Sequence, residues 1–318
     1  MRCRMMSWGL TVMLAAAGYV VVFPGAQPVA AAESGEVVTH EIPREESAKV
    51  IVRLPTMRLT AGGPRFFYGR YAATSQYGLM MAAQLVCTVN GRGYTSVTST
   101  MNHRGAELDP FARVISVRWL FVPPVTGDYF CRLIGYAKTQ ESATPRDAKL
   151  VVVPGASTVF GMHDDIKHHA LEWRDAADYT PSVGLTDRMA SVFHDSEWSA
   201  QADARQVDVR ADVELTADST GGNRPFSPKL TLIADQLHED GQPCATTWVT
   251  SDTELEIVTH HYKVQLTLRA PISTAAGCTR EFDTRVEVEY QPWPTGEYTR
   301  HGGHVEGGKY SNLILTNA

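Results

Sequence analysis

Apolar and polar residues alternate with a period of two along much of this chain, and residues 111–138 show the pattern most fully. One apolar face is formed by Ile115, Val117, Trp119 and Phe121. Pro123-Pro124 cannot donate hydrogen bonds to a ladder, and Thr126-Gly127-Asp128 supplies turn chemistry. The chain then returns through a second apolar set, which is Tyr129, Cys131 and Leu133. This pattern predicts two strands of a β-sandwich that are joined at a corner.

Other short segments on either side of this corner have the composition of strands. They are residues 49–59, 79–89, 94–101 and 148–153. Asn90-Gly91 lies between two of them and is the dipeptide typical of a two-residue hairpin turn. About seven short strands separated by turns predict a β-sandwich, which we place at residues 48–155.

Gly127, Tyr129 and Cys131 carry a resemblance to a known family. A tyrosine two residues before a cysteine resembles the tyrosine corner of immunoglobulin-like domains. The resemblance spans about 100 residues of this chain, although its specific part is these three positions. Val125 stands where the family usually has an acidic residue. The resemblance implies a bacterial immunoglobulin-like sandwich of non-antibody type, and it implies no function.

The second half of the chain repeats the strand pattern. Val207, Val209, Ala211, Val213 and Leu215 alternate with polar residues, which predicts a strand with one buried face and one exposed face. Further strands are predicted at residues 229–234, 254–258, 263–269, 285–290 and 312–315. We therefore predict a second β-sandwich at residues 205–318, so that the fold class is all-β with two tandem immunoglobulin-like sandwiches.

Residues 156–204 break the period of two and are predicted as a short, partly helical connector. Asp164 can cap a helix in which Ile166, Ala170, Trp173 and Ala177 share one face. Pro181 would end that helix.

The N-terminus has the features of an export signal. Arg2 and Arg4 precede an uncharged apolar run at residues 9–23, and small residues follow it up to Ala32. The run would span about 22 Å, which is shorter than the ~30 Å hydrocarbon core of a bilayer. Residues 1–32 are therefore predicted to be a cleaved signal peptide and residues 33–47 a flexible lead with a short edge strand at Val37-Val38. The expected product is a soluble, secreted (extracellular) protein with no membrane span after cleavage.

Four cysteines remain after the predicted signal, namely Cys87, Cys131, Cys244 and Cys278. An even number of cysteines in an exported chain indicates disulfide bonds, and four cysteines allow three pairings. We favour Cys87–Cys131 and Cys244–Cys278, because each bond then lies within one predicted sandwich.

The charge excludes some partners. Without Arg2 and Arg4 the 29 basic side chains become 27, against 35 acidic ones, so the net charge is −8. A field of this sign does not attract nucleic acid or an anionic membrane surface. The sequence contains neither HExxH nor GxSxG, and it lacks a phosphate-binding glycine loop. These observations favour a non-catalytic protein without a cofactor.

Two further sites are open hypotheses. His163, Asp165, His168 and His169 lie close together in the predicted connector, and on a helix Asp165 and His169 would share a face and could bind zinc or copper. Trp293, between two prolines, is a candidate contact residue for a ligand. The sequence thus predicts a secreted binding or structural protein whose ligand is a protein or a glycan. The alternative is a metal-binding protein or a metal-dependent hydrolase that uses the connector histidines.

Overall fold

The computed structural model describes twelve segments of the chain. They are residues 35–44, 48–107, 110–139, 144–155, 158–163, 171–173, 182–184, 189–217, 228–251, 262–290, 303–306 and 310–317. The described segments are built from β-strands that pair in antiparallel ladders, as the period of two predicts.

The strands of the first half are β1 (Glu36–Val37), β2 (Glu41–Pro43), β3 (Lys49–Arg53), β4 (Met57–Leu59), β5 (Arg65–Thr74), β6 (Gly78–Val89), β7 (Arg92–Thr95), β8 (Ser99–Arg104), β9 (Arg113–Phe121), β10 (Gly127–Thr139) and β11 (Lys149–Val153). Those of the second half are β12 (Val159–His163), β13 (Leu171–Trp173), β14 (Ser182–Gly184), β15 (Met189–Ser199), β16 (Gln206–Ala217), β17 (Pro228–His238), β18 (Pro243–Thr250), β19 (Tyr262–Pro271), β20 (Cys278–Tyr290), β21 (Gly303–Glu306) and β22 (Asn312–Asn317).

Two sheets enclose the first hydrophobic core. Sheet one has the order β1-β3-β10-β6-β7, with β4 on β10 and β8 on β6. Sheet two has the order β12-β5-β11-β2, with β9 on β5. Trp119, Phe67 and Tyr71 are among the largest side chains buried between them. This sandwich forms because one face of each strand is apolar and must be removed from water.

Two further sheets enclose the second core. Sheet three has the order β13-β22-β16-β21-β14, with β19 on β16, and sheet four has the order β15-β20-β17-β18. The alternating apolar residues of β16 pack against Leu230, Leu232, Val286 and Val288 of sheet four. The two cores confirm the prediction of an all-β, sandwich-type architecture in both halves of the chain.

The corner at residues 111–138 joins the two sheets of the first sandwich. Strand β9 belongs to sheet two and β10 to sheet one, so the chain crosses the core between Phe121 and Gly127. The hydroxyl of Tyr129 donates a 2.8 Å hydrogen bond to the carbonyl of Val125. This is the contact that defines a tyrosine corner, and it holds the crossing segment against the strand.

The Cys87–Cys131 disulfide lies within one sheet. The two cysteines face each other directly on β6 and β10, with their Cα atoms 4.1 Å apart, and both are fully buried. The bond of antibody-type immunoglobulin domains connects opposite sheets instead. Here the disulfide reinforces an existing strand pair, so the resemblance to that family does not extend to its disulfide.

Residues 36–43, predicted as part of a flexible lead, form strands of both sheets in the first sandwich. Strand β1 pairs with β3, and β2 pairs with β11. Ile42 is buried in the first core. The expected edge strand at Val37-Val38 corresponds to β1, whereas β2 was not predicted because three residues are too few to show a period.

The predicted connector also contains strands. β12 pairs with β5 of the first sandwich, whereas β13 pairs with β22 and β15 with β20 of the second. A continuous helix through Trp173 is therefore wrong at Leu171–Trp173, and residues 164–170 lie outside the described residues. The helical spacing was misleading because pairing with the C-terminal strand overrides local propensity.

The polar face of β16 is buried rather than exposed, which corrects the prediction for this strand. Asp208, Asp212 and Glu214 all lie on it, and each is buried. Arg118 of β9 donates from Nε to Asp212 Oδ1 at 2.7 Å. Glu214 pairs with Lys263 of β19 at 3.3 Å and accepts a hydrogen bond from the backbone N–H of Thr100. The first sandwich thus covers the outer face of sheet three.

Apolar and cation–π contacts complete this junction. Phe66, Leu120 and Ile314 form a small buried cluster between the sandwiches. The guanidinium of Arg210 lies 5.0 Å from the ring centre of Phe66, within the range of a cation–π contact. Burial lowers the pKa of Arg210, although the nearby charge of Asp208 opposes this shift. The outer faces of sheets two and three are consequently packed on each other.

Candidate ligand-binding face

The outer face of sheet four presents a regular grid of side chains from three adjacent strands. Strand β18 contributes Thr246, Trp248 and Thr250, β17 contributes Thr231, Ile233 and Asp235, and β20 contributes Asp283, Arg285 and Glu287. The grid follows from strand geometry, because the alternate residues of each strand point into the second core. We call these nine residues the Trp248 face.

Trp248 is the most exposed aromatic residue of the second sandwich among those described, at 64% of its accessible surface. Strand β18 is the edge strand of sheet four, and its neighbour Val249 packs on the second core. Because successive side chains point to opposite faces, Trp248 must then point to solvent. Tryptophan is mostly buried in folded proteins, but the register of β18 places Trp248 on the solvent-facing side of the sheet.

Ile233 lies directly opposite Trp248 on β17 and is only 8% exposed. Arg285 of β20 follows Ile233 in the same row. Strands lie ~4.8 Å apart, so the row from Trp248 to Arg285 extends about 10 Å across the sheet. This row has an aromatic end, an apolar middle and a cationic end.

Arg285 is held in place by two carboxylates. Its Nη1 donates to Asp235 Oδ2, and its Nε donates to Glu287 Oε1 at 2.9 Å. The second oxygen of Asp235 accepts a 2.6 Å hydrogen bond from the hydroxyl of Thr246. Burial opposes the charge of this guanidinium, but its hydrogen bonds to Asp235 and Glu287 raise the pKa of Arg285. The polar part of the face is therefore preorganised and charged.

The charge of the Trp248 face is negative. Asp235, Asp283 and Glu287 outnumber Arg285, which leaves a formal charge of −2. Lys229 and Glu289 at the border form a 3.9 Å pair and add no net charge. A face of this sign attracts cationic ligands and repels anionic ones, whereas it exerts no net attraction on neutral ones.

A second exposed aromatic residue lies on the first sandwich. Phe130 is 56% exposed on the outer face of sheet one, opposite Thr88. The hydroxyl of Thr88 bonds to the backbone carbonyl of Phe130. Phe130 provides an apolar surface without a preorganised array of charged groups of the kind that surrounds Arg285.

The disulfides join the pairs that the sequence favoured, Cys87–Cys131 and Cys244–Cys278. The backbone of His163 lies in β12 opposite Phe66. Asp165, His168 and His169 lie outside the described residues, and so does Trp293. The metal site and the Trp293 contact therefore stay predictions.

Trp248 was not singled out in the sequence analysis. The signal was present in the segment Ala245 to Thr250, where Val249 marks the inward register and places Trp248 on the opposite face. The neighbours of Trp248 on the sheet, Ile233 and Arg285, come from segments 15 and 37 positions away, so no local pattern shows the grid.

No helix in the described segments has the length and apolar character that crossing a membrane requires.

Comparison with known proteins identifies no family. No protein-family model matches the chain, and no curated protein matches its sequence. Several solved structures match the chain at low identity. The infectious bursal virus T=1 particle is 10% identical, with a TM-score of 0.34, and the match covers 90% of this chain and 72% of that one.

Two bacterial structures match over a similar length. A tandem of CBM22 domains from Paenibacillus barcinonensis Xyn10C is 11% identical, with a TM-score of 0.25, over 91% of this chain and 99% of that one. A candidate secreted protein from Parabacteroides distasonis is 10% identical, with a TM-score of 0.23, over 90% of this chain and 93% of that one. At these TM-scores the similarities carry no argument about function.

Proposed function

We propose that the protein is an exported, non-catalytic binding protein that holds a neutral glycan on the Trp248 face. The observation that carries the proposal is a tryptophan with 64% exposure on the outer face of a sheet, beside a preorganised set of carboxylates and one guanidinium. Exposing a tryptophan leaves a large apolar area in water, and a ligand that covers it recovers that free energy.

A sugar ring fits this combination of groups. Its C–H face is apolar with a weakly positive edge, which complements the negative face of an indole ring. Its hydroxyl groups can donate hydrogen bonds to carboxylates such as Asp283 and Glu287 and accept them from Arg285. The 10 Å row from Trp248 to Arg285 is long enough for about two sugar units, given the spacing of strands.

A protein partner fits the face less well. Protein interfaces are anchored by clusters of aromatic and apolar residues in a desolvated centre. On the Trp248 face the only other large apolar side chain is Ile233, which is already covered. The rest of the grid is threonine, carboxylate and arginine, which suits hydroxyl groups better than an apolar anchor.

Export is part of the proposal. The apolar run at residues 9–23 is typical of a signal peptide, and two disulfides are expected in proteins that fold outside the reducing cytoplasm. A glycan would be encountered at the cell surface or beyond it, which is where such a protein would act.

The test compares Trp248→Ala with the matched control Phe130→Ala in binding to immobilised polysaccharides. Neutral polysaccharides are compared with uronic-acid and sulfated ones, and affinities are measured by calorimetry on the fragments that bind. We expect Trp248→Ala to weaken binding at least tenfold, because truncating an aromatic anchor costs on the order of 2 kcal/mol, while Phe130→Ala leaves it unchanged.

Equal affinity of Trp248→Ala and the wild type would refute the proposal, as would equal losses in the two variants. Tighter binding to sulfated polysaccharides than to neutral ones would refute the choice of ligand, since it contradicts the sign of the charge on the face.

A further inference from the structure

Three metal-binding side chains converge at one end of sheet four, outside the Trp248 face. His238 ends β17 and lies directly opposite Cys278, the first residue of β20. Cys244 is the second residue of β18, which follows β17 after a tight turn. One donor atom from each of these residues lies within 4.8 Å of the other two. We call these three residues the His238 cluster.

The local backbone is shaped to admit the imidazole. Gly277, just before Cys278, has a φ of +87°, a conformation that favours glycine. A Cβ atom at this position would lie 3.0 Å from His238 Nδ1. The absence of a side chain at Gly277 thus leaves room for His238 beside the two sulfurs. Ser273 adds a hydroxyl oxygen 3.7 Å from Cys278 Sγ.

The two disulfides of the protein differ in their access to solvent. Cys87 and Cys131 are fully buried in the first core, whereas Cys244 and Cys278 are partly exposed. Thiol–disulfide exchange requires a thiolate to reach a sulfur atom, so a soluble dithiol should reduce Cys244–Cys278 first. In that reaction the protein disulfide gains two electrons and two protons and becomes two thiols, and the dithiol becomes a disulfide.

The reduced cluster has the composition of a zinc site with an open position. Two cysteine thiolates and one neutral imidazole are ligands that Zn²⁺ prefers, and three protein ligands leave the fourth position for water. Tetrahedral bonds of ~2.3 Å to sulfur and ~2.0 Å to nitrogen place the donor atoms about 3.5–3.8 Å apart. Reduction breaks the S–S bond, so the two sulfurs can then move apart to this spacing beside His238, whose donor atom already lies within 4.8 Å of both.

We propose that reduction of Cys244–Cys278 converts the His238 cluster into a binding site for Zn²⁺ or a similar thiophilic divalent metal. Binding releases two protons as both thiols become thiolates. Because the disulfide supplies no thiolate ligands, the oxidised protein does not bind the metal and the reduced protein does. The site does not depend on the glycan proposal, and each can fail without the other.

The experiment treats the full exported chain with a dithiol, without denaturant, and then removes the dithiol under argon. A thiol assay should find two thiols per chain, with the buried Cys87–Cys131 bond as the internal control. Co²⁺ is then titrated as a probe for Zn²⁺. We expect one Co²⁺ per chain with a thiolate charge-transfer band, and no such band for the oxidised protein.

His238→Ala separates the proposed site from simple binding to two thiols. We expect it to weaken Co²⁺ binding at least tenfold while the thiol count and the β-sheet circular dichroism stay unchanged. As a second readout, Zn²⁺ should raise the Tm of the reduced wild type but not that of the oxidised protein. The proposal is overturned if His238→Ala binds Co²⁺ as tightly as the wild type, if the oxidised protein binds it equally, or if neither form binds it.

Discussion

Replacing Arg118 by methionine tests the junction between the sandwiches. Methionine keeps most of the side-chain volume but removes every donor of the guanidinium. Arg118 donates to Asp212, to the hydroxyl of Thr267 at 2.8 Å, and to the carbonyl oxygens of Ala211 and Leu266 at 2.8 and 3.1 Å. The side chains of Arg118 and Asp212 are 8% and 0% exposed, so water cannot replace these bonds in Arg118→Met.

The expected loss of stability is about 3–5 kcal/mol, the cost of breaking a buried ion pair by removing one partner. With a urea m-value of about 3 kcal/mol/M, the unfolding midpoint falls by about 1–2 M. Tryptophan fluorescence can follow both halves, because Trp119 lies in the first core and Trp198 in the second. The matched control is Arg58→Met, since the Arg58–Asp128 pair is 68% and 60% exposed and should contribute at most about 1 kcal/mol.

A second variant identifies the cause of the loss. Asp212→Asn in the Arg118→Met background removes the uncompensated charge, so it should recover about half of the lost stability. The reasoning is refuted if Arg118→Met costs no more than Arg58→Met. It is also refuted if the double variant is less stable than Arg118→Met alone, because the buried charge would then not be the source of the cost.

Two further predictions concern the first core. Burial raises the pKa of Tyr71, whose hydroxyl donates to the carbonyl of Ala82 at 2.9 Å. The protonated hydroxyl of Tyr71 therefore stabilises the fold fully below the unfolded pKa of about 10, and this stabilisation is lost as the pH rises above that value. Tyr71→Phe should consequently reduce the fall in stability at alkaline pH, and an unchanged fall would contradict this. Gly135→Ala would place a Cβ atom 2.5 Å from Ile51 Cδ1 and should lower the free energy of unfolding in urea by about 1–3 kcal/mol. The control is Gly93→Ala, whose Cβ atom would have its nearest neighbour 3.8 Å away and which should be nearly neutral. Equal effects of the two variants would contradict the packing argument.

Local patterns were sufficient for much of the fold. The alternation in β16 predicted its strand and its inward face, and Asn90-Gly91 predicted the β6–β7 hairpin, where both residues have positive φ. The stretch from Gly127 to Cys131 predicted a corner, and the hydroxyl of Tyr129 makes the expected bond. These features depend on a few adjacent residues, so the sequence contains all the information that they need.

Local sequence patterns gave wrong predictions where a segment pairs with a strand that is distant in the sequence. The spacing through Trp173 predicted a helix, but residues 171–173 form a strand that pairs with Leu313–Leu315. A local pattern cannot show this pairing, because the partner strand lies at the far end of the chain. The short strand β2 exists because β11 is available to pair with it, and nothing in its own composition predicts it.

The sequence by itself therefore determined the strand periodicity and the two apolar cores, since each follows from spacing along the chain. It favoured the observed disulfide pairing only through the predicted domain boundaries. Only the tertiary structure decided that the charged face of β16 is buried against Arg118, and that Trp248, Ile233 and Arg285 form one row. A polar face shows that a surface needs hydrogen-bonding partners, but it does not show whether those partners are water or another sheet. That choice depends on which segments meet in space, and it decided both the junction and the candidate ligand-binding face.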